Sequence, residues 1–397
     1  MRPRAFRTSK PSSVAEMPDY DVLIAGGGPV GAALGLALRG GCSVALLEAR
    51  AEGEMPLDPR PIALSHGSRL ILERLGVWEA LQPVTPIARI HISQRGGFGQ
   101  VELDAQEAGL PALGYVVDYS RLGGQLSKLL PGVCDYFSGA SVLTLSAGPD
   151  AACVDYQLGT TASRATARLV AVADGGALAG VTQARTRDYR QAAITAQVAS
   201  ARPHQNVAYE RFTPEGPLAL LPSGERLALV WSTTPARAQQ LCIMPENEFL
   251  QNLQRAFGQR LGAFEASSPR AWFPLTLKVA ASLPVPRAVV LGNAAQTLHP
   301  VAGQGFNLGL RDAWELASAI NATAREDIGA PPMLAAYAAR RRLDRGGGIW
   351  FTDILVRLFS NDIGPLRLAR GLGLALLGAV PPAKDVVVRR MTFGARG

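Results

Sequence analysis

A short apolar run, Tyr20-Asp21-Val22-Leu23-Ile24-Ala25, leads into Gly26-Gly27-Gly28-Pro29-Val30-Gly31 and then an Ala- and Leu-rich stretch ending at Arg39. The run has the composition of a buried parallel strand, and the stretch after it reads as a helix with proline tolerated in its first turn. Gly40-Gly41 ends that helix, Ser43 to Leu47 is a second apolar strand, and Glu48 closes it 22 residues after Gly26. Strand, glycine turn, helix, strand and acid in register predict an α/β protein with a Rossmann-like βαβ unit. Gly26 allows the tight turn, Gly28 lets the backbone approach a pyrophosphate, and Gly31 lets helix and strand pack closely. The diphosphate rests on the helix N-terminus, where free N–H groups and the dipole favour an anion. Glu48 accepts from ribose hydroxyls and disfavours a 2′-phosphate, so the adenosine belongs to FAD or NAD rather than NADP. No second GxGxxG follows a strand, so the chain carries one such unit.

Two later segments repeat the arrangement of strand and glycine turn. Ala288 to Leu291 is an apolar strand that runs into GNAAQTLHPVAGQGFNLGLRDA, Gly292 to Ala313, with helical spacing from Phe306 through Trp314, Leu316 and Ile320. Leu169 to Ala173 ends in Asp174-Gly175. Together with the first motif, these segments resemble the flavin-dependent aromatic hydroxylases of the para-hydroxybenzoate hydroxylase type. Asn293 and Gln296, in place of the GDAAH of most relatives, are most similar to the ubiquinone-biosynthesis branch that hydroxylates 2-polyprenyl-6-methoxyphenols. Arg60-Pro61-Ile62-Ala63-Leu64-Ser65, Leu75-Gly76-Val77-Trp78, Tyr209 to Thr213 and Gly216 to Pro222 resemble that branch too, so the likeness covers roughly residues 19–390.

The resemblance implies FAD as cofactor, NAD(P)H as electron donor, and transfer of oxygen from O2 to a phenol by way of a flavin C4a-hydroperoxide. Gly26, Gly28, Gly31 and Glu48 would hold the ADP part, with Arg60 and Arg121 near the phosphates or ribityl chain. Asp174 would lie at the cofactor, Asn293 at its ribityl or pyrophosphate region, and Pro300 beside the ring. Gly303, Gln304 and Gly305 would offer backbone N–H groups to the ring's pyrimidine edge, with Asn307 in the same turn. After Asp174-Gly175 the pattern expects a serine and an arginine, and this chain has Leu178 and Val181. His299 has two readings: a base for the phenol, since imidazole titrates near 6.5, or a structural group that hydrogen-bonds the loop. His66, His91 and His204 read as structural, and no His/Cys cluster has metal-ligand spacing.

Residues 19–80, 171–184 and 281–336 are expected to form the FAD-binding domain. Residues 81–170 and 185–280 would form an inserted substrate domain of mixed and antiparallel sheet, with some FAD-domain elements interleaved. Ala192 to Val198 and Leu227 to Ser232 alternate as antiparallel strands with one buried face. Residues 1–18 read as a disordered basic leader and 337–397 as a basic helical region. The formal charge of +8 divides into +3 for residues 1–17, +7 for residues 337–397 and −2 for everything between. A near-neutral body with basic ends argues against a nucleic-acid groove and for a peripheral contact.

The run Gly371 to Val380 is about half the roughly 20 residues a membrane-spanning helix needs. No apolar run precedes Asp19, so no secretory signal is expected, and four scattered cysteines read as free thiols in a reducing compartment. The C-terminal region therefore has two readings, a helix packed on the FAD domain with solvated arginines, ended by Pro381-Pro382, or a membrane-surface helix. The second goes with a cytoplasmic enzyme, peripheral on the inner face of the membrane or in a quinone-biosynthesis complex, acting on a polyprenylated phenol. A soluble hydroxylase of a small aromatic acid and a flavin-binding member of such a complex without catalysis are the competing functions.

Overall fold

The computed structural model describes residues 17–51, 53–54, 61–176, 184–280, 286–300, 303–359, 361 and 363–394. Its helices are α1 (Pro29–Ala37), α2 (His66–Arg74), α3 (Tyr119–Lys128), α4 (Pro235–Ile243), α5 (Glu246–Phe257), α6 (Gln304–Asn321), α7 (Pro331–Phe359), α8 (Gly364–Ala379) and α9 (Pro381–Phe393).

The predicted βαβ unit forms the centre of a seven-stranded sheet. Its order is Asp135–Ser138, Val44–Glu48, Tyr20–Ala25, Thr161–Val172, Ala152–Leu158 and Ala140–Ala147, and Ala288–Val290 pairs with the end of Thr161–Val172. Tyr20–Ala25 lies parallel to both of its neighbours, and its residues Val22 to Ala25 are buried, as a sheet covered on both faces requires. One face packs on α1, α3, α6 and the start of α7 through Ile24, Leu34, Leu126, Leu310, Leu316 and Tyr337.

A second sheet of nine strands lies beyond it. Its long axis is Ala184–Ser200, flanked by Ala271–Ala280 and Arg226–Thr233, and it continues through Gly216–Ser223, Val207–Thr213, Arg89–Gln94 and Gln100–Asp104. The two alternating stretches expected as strands pair with each other, Ala192 opposite Thr233 and Val198 opposite Leu227. One face of this sheet is covered by α4 and α5 through Trp231, Leu241, Phe249 and Phe257. Part of the other packs on α7, α8 and α9 through Phe212, Val356, Phe359, Leu374 and Val388.

The domain boundaries need correction. Within 81–170, the strands at 135–138, 140–147, 152–158 and 161–172 belong to the first sheet, because the apolar end of Thr161–Val172 pairs in parallel with the central strand. Only Arg89–Gln94 and Gln100–Asp104 of that segment join the nine-stranded sheet, while Thr85–Ile87 and Gly114–Asp118 form a small sheet with Pro61–Ser65. The expected start of the basic region at 337 falls inside α7. Pro381-Pro382 ends α8 but opens α9 at a 97° bend, since proline fits the first helical turn, where no N–H is needed. The leader readings for residues 1–16 and the departures at Leu178 and Val181 lie outside the described residues.

Candidate cofactor and substrate site

The glycine turn at Gly26 to Gly31 is shaped by what a Cβ would strike. At Gly31 it would stand 1.9 Å from the Gly26 carbonyl oxygen, and at Gly26, where φ is +107°, it would stand 2.7 Å from the Ala173 and Asp174 backbone. At Gly28, the N-cap of α1, it would meet nothing within 4 Å. The turn is therefore closed toward the protein at Gly26 and Gly31 and open at Gly28, the cradle a pyrophosphate needs.

Glu48 is 7% exposed and stands at the edge of this turn. Its Oε2 accepts from Gly27 N–H at 2.7 Å, and its Oε1 accepts from Arg50 N–H at 3.0 Å and from Arg50 Nε at 2.7 Å. Burial pushes its carboxyl up, but Arg50 and these backbone donors outweigh burial and hold it below the usual carboxylate range. It stays ionised, and a ribose hydroxyl reaching it shares the carboxylate with Arg50. Arg50 lines the same cavity, a role its place in the sequence did not signal.

From this turn one cavity of about 1190 Å³ extends through the molecule. The range typical of a single small-molecule site is roughly 300–1,000 Å³, so there is room for a cofactor and a second molecule. Gly26, Gly28, Glu48, Asp174, Asn293, His299, Pro300, Gly303 and Gly305 all line it. The three glycine-containing turns recognised in sequence thus converge on one chamber, and these residues fit an extended dinucleotide.

The other expected site residues lie elsewhere. Gly31 is behind the turn, where its lack of a Cβ permits packing rather than contact. Arg121 sits in the first turn of α3, exposed, and donates to the Gln82 carbonyl; Tyr119, two residues earlier, reaches the cavity. Gln304 is buried beside a smaller cavity bounded by Ala63 and Leu113. Asn307 is buried in the first turn of α6. Its Oδ1 accepts from Ser65 N–H and Ser68 Oγ at 2.8 and 2.7 Å, and its Nδ2 donates to the Ala63 and Gly303 carbonyls at 2.9 and 2.7 Å. It is a clamp between Pro61–Ser65, α2 and the start of α6. Arg60 is outside the described residues.

The turn before α6 also differs in one detail. Gly303 has φ +59° and its N–H donates to the Pro300 carbonyl at 3.0 Å, so that donor is used within the loop. Gly305, in the first turn of α6, faces the cavity with open space at its Cβ position.

His299 is 1% exposed. Gln191 donates through Nε2 to the Glu215 carbonyl at 2.8 Å, which turns its Oε1 toward His299 Nε2 at 3.2 Å. An amide oxygen only accepts, so Nε2 carries the imidazole proton. Tyr189 stands edge-on to the ring at 5.4 Å between centroids. Burial lowers the imidazole from its ordinary 6.5 to about 4, so it is neutral at pH 7.

Beyond the three turns the walls become apolar. The nine-stranded sheet contributes Ile92, Phe212, Leu221 and Phe273, and the C-terminal helices contribute Leu355, Phe359, Leu374, Leu377, Val387 and Met391. The sequence had left the pocket-lining side chains unassigned. Arg341, in the basic helical region whose arginines one of the two readings left solvated, is buried and bonds Asp312 Oδ1 at 2.7 Å and Asp344 Oδ2 at 2.6 Å. Gln296 donates to the other Asp312 oxygen at 3.0 Å, so two residues of the second motif are tied to α7.

Residues 19–345 match the family model described as FAD binding domain. The chain belongs to that family. Within this FAD-binding family it is 37% identical over 392 residues to ubiquinone hydroxylase UbiL of Rhodospirillum rubrum, covering 93% of this chain and 88% of that one. It is 33% identical to the 3-demethoxyubiquinol 3-hydroxylase of Escherichia coli, covering 89% of this chain and 93% of that one. Among solved structures it resembles p-nitrophenol 4-monooxygenase PnpA of Pseudomonas putida with a TM-score of 0.75 at 15% identity, covering 95% of this chain and 98% of that one, a likeness of fold. The Rossmann-like domain and FAD as cofactor stand as expected.

Proposed function

We propose that the protein is an FAD-dependent monooxygenase that hydroxylates the aromatic ring of a polyprenylated phenol in ubiquinone biosynthesis, using O2 and NAD(P)H. The observation that carries this reading is the single chamber. Its polar end is built from the three turns that suit a dinucleotide, and its far end is apolar. The relatives named as a ubiquinone hydroxylase and a 3-demethoxyubiquinol 3-hydroxylase support the substrate class.

FAD, reduced by NAD(P)H, supplies the oxygen-activating chemistry when bound. The chain's own part is to hold and enclose. Gly26, Gly28 and the α1 N-terminus would take the diphosphate, Glu48 the ribose, and Gly305 with the α6 N-terminus the ring edge that gains negative charge on reduction. The sheet and the C-terminal helices exclude water from the reacting ring.

The test is NAD(P)H oxidation by the purified flavoprotein with a short-chain prenylated methoxyphenol, and mass analysis of the product. Stimulated oxidation with one added oxygen atom is expected. Preference for a small aromatic acid, or no stimulation by any phenol, would overturn the reading in favour of one of its two competitors.

We further propose that the protein is cytoplasmic and docks on the inner face of the membrane through α8 and α9. None of the described helices is long and apolar enough to cross a bilayer. Support comes from Leu368, Leu372 and Leu376, which are exposed at four-residue spacing on one side of α8, while Leu374 faces inward. A polyprenyl tail gains about 0.8 kcal/mol per CH₂ by staying in lipid, so an enzyme for it gains from standing at that surface.

A further inference from the structure

The rotation of α8 about its own axis is fixed by its neighbours. Gly371 packs on the turn between Arg89–Gln94 and Gln100–Asp104, where a Cβ would stand 2.6 Å from the Phe98 carbonyl oxygen. Gln94 Nε2 donates to the Arg367 carbonyl at 3.1 Å, and Arg370 donates to the Leu358 and Phe359 carbonyls at 3.0 and 3.2 Å. Leu374 is buried in the cluster that holds Phe359 and Val388. At about 100° per residue, the side chains then follow one another around the helix in a set order. Leu368, Leu372 and Leu376 come first and are exposed, Ala369 and Gly373 come next, and Leu377, Arg370 and Leu374 turn inward.

Ala369 and Gly373 line the cavity together with the three inward residues. Of the described residues that α7, α8 and α9 give to the cavity wall, these two are the exposed ones, while Phe359, Arg370 and Leu374 are buried. A residue that lines a cavity and also meets solvent stands at its mouth. The mouth therefore lies along α8, between the buried wall and the row of exposed leucines. A glycine inside a helix is unfavourable relative to alanine, because it gives up more backbone freedom on folding. Packing accounts for Gly371 but not for Gly373, where a Cβ would meet nothing within 4 Å.

We propose that Ala369 and Gly373 form the exit by which the prenyl tail of the substrate leaves the chamber, and that Gly373 determines whether a long tail is accepted. This rests on the monooxygenase reading above and deepens it. The occupant follows from continuity. Inside the mouth the wall is apolar, through Leu355, Leu377 and Met391, and outside it the surface is the leucine row. An isoprenoid chain gains by burial along its whole length and has no polar group to satisfy, so an apolar passage without an obstructing side chain suits it. The ring stays at the flavin end of the chamber, a short tail ends within it, and a long tail crosses Gly373.

The experiment compares wild type, Gly373→Ala, Gly373→Leu and Ala375→Leu, each as the FAD-loaded protein. The substrates are one prenylated methoxyphenol with a short tail and the same phenol with a long tail, both dispersed in neutral detergent so that no membrane takes part. Ala375 is exposed on the outer side of α8 and serves as the control. Flavin content and thermal unfolding report folding, and the leucine at 373 should not lower the melting temperature, since it favours a helix more than glycine does. Gly373→Leu is expected to lower kcat/KM for the long-tailed phenol by about 10–100-fold, mainly through KM, and to leave the short-tailed phenol within threefold of wild type. Gly373→Ala should lose less in the same direction and carries the test if the leucine variant loses flavin. Ala375→Leu should change neither substrate by more than threefold. Equal losses for both tails at position 373, or no loss for either, overturn the exit and leave the monooxygenase reading intact. If wild type hydroxylates no phenol, that reading fails, and quenching of flavin fluorescence still decides the exit. Weaker binding of the long-tailed phenol alone in Gly373→Leu upholds it, and unchanged binding overturns it.

Discussion

At the scale of single residues, the buried imidazole of His299 makes a prediction about pH. Its folded-state value of about 4 lies below the 6.5 of an unfolded histidine, so between these values the unfolded chain binds more protons than the folded one. Stability from this group is complete above about pH 6.5, declines as the pH falls, and is fully lost below about pH 4. The span is worth about 3 kcal/mol. Urea unfolding of wild type and His299→Gln from pH 4 to 8 should give curves that converge as the pH falls; parallel curves would refute the imidazole as their source. Gly31→Ala tests the other buried contact. Its Cβ would stand 1.9 Å from the Gly26 carbonyl oxygen, so α1 must shift off the strand it packs against. A cost of about 1–3 kcal/mol and a loss of most bound flavin are expected, the latter measured as the ratio of flavin to protein absorbance. A variant that purifies with full flavin would contradict the account. These glycines were legible in sequence because backbone clearance alone dictates their spacing. Arg50 was not, since an arginine just beyond a strand reads like any solvated loop residue until the fold shows that it lines the chamber and pairs with Glu48.

At the scale of elements, α7 is held to α6 by charge. Arg341 reaches Asp312 and Asp344, Arg311 adds a bond to Asp344 at 3.0 Å, and the Tyr337 hydroxyl reaches the Asp312 carbonyl. Asp312 is fully buried, so removing Arg341 strands a carboxylate without its main counter-charge. Arg341→Ala should cost about 3–5 kcal/mol of unfolding free energy, whereas Arg340→Ala, one residue away and exposed, should cost under about 1 kcal/mol. Equal effects in denaturant titrations would remove the network from the account. The three adjacent arginines are indistinguishable by composition, and only the rotation of α7 against α6 selects the middle one. The same reason hid the C-terminal helices as cavity walls. Their sequence is apolar on more than one side, so periodicity did not say which side met the sheet. The boundary near 170 was missed because a long strand serves both an antiparallel hairpin and a parallel pairing, and its alternation does not announce the change of partner.

At the scale of the molecule, the charge that made the chain look generally basic belongs to its ends, and its C-terminal share lies on the helices that also close the cavity. A docking test therefore leaves those helices in place, because removing them would open the chamber and abolish activity for an unrelated reason. Leu368, Leu372 and Leu376 are 56%, 57% and 65% exposed, so glutamates there leave the inner face of α8 untouched while setting three negative charges toward an anionic surface. Each basic side chain near such a surface contributes about 1 kcal/mol, and the contribution falls off over a Debye length of about 8–10 Å at 0.1–0.15 M salt. The full-length flavoprotein should float with anionic vesicles at low salt and progressively less as salt rises. The triple variant Leu368→Glu, Leu372→Glu, Leu376→Glu should stay behind at every salt concentration. Its flavin content and its turnover of a short-tailed phenol in solution should match wild type, while turnover of a long-tailed phenol held in vesicles should fall at least tenfold. Undiminished flotation of the triple variant would sink the docking proposal. Flotation lost without any change in long-tail turnover would show that the surface binds lipid for a purpose other than reaching the substrate.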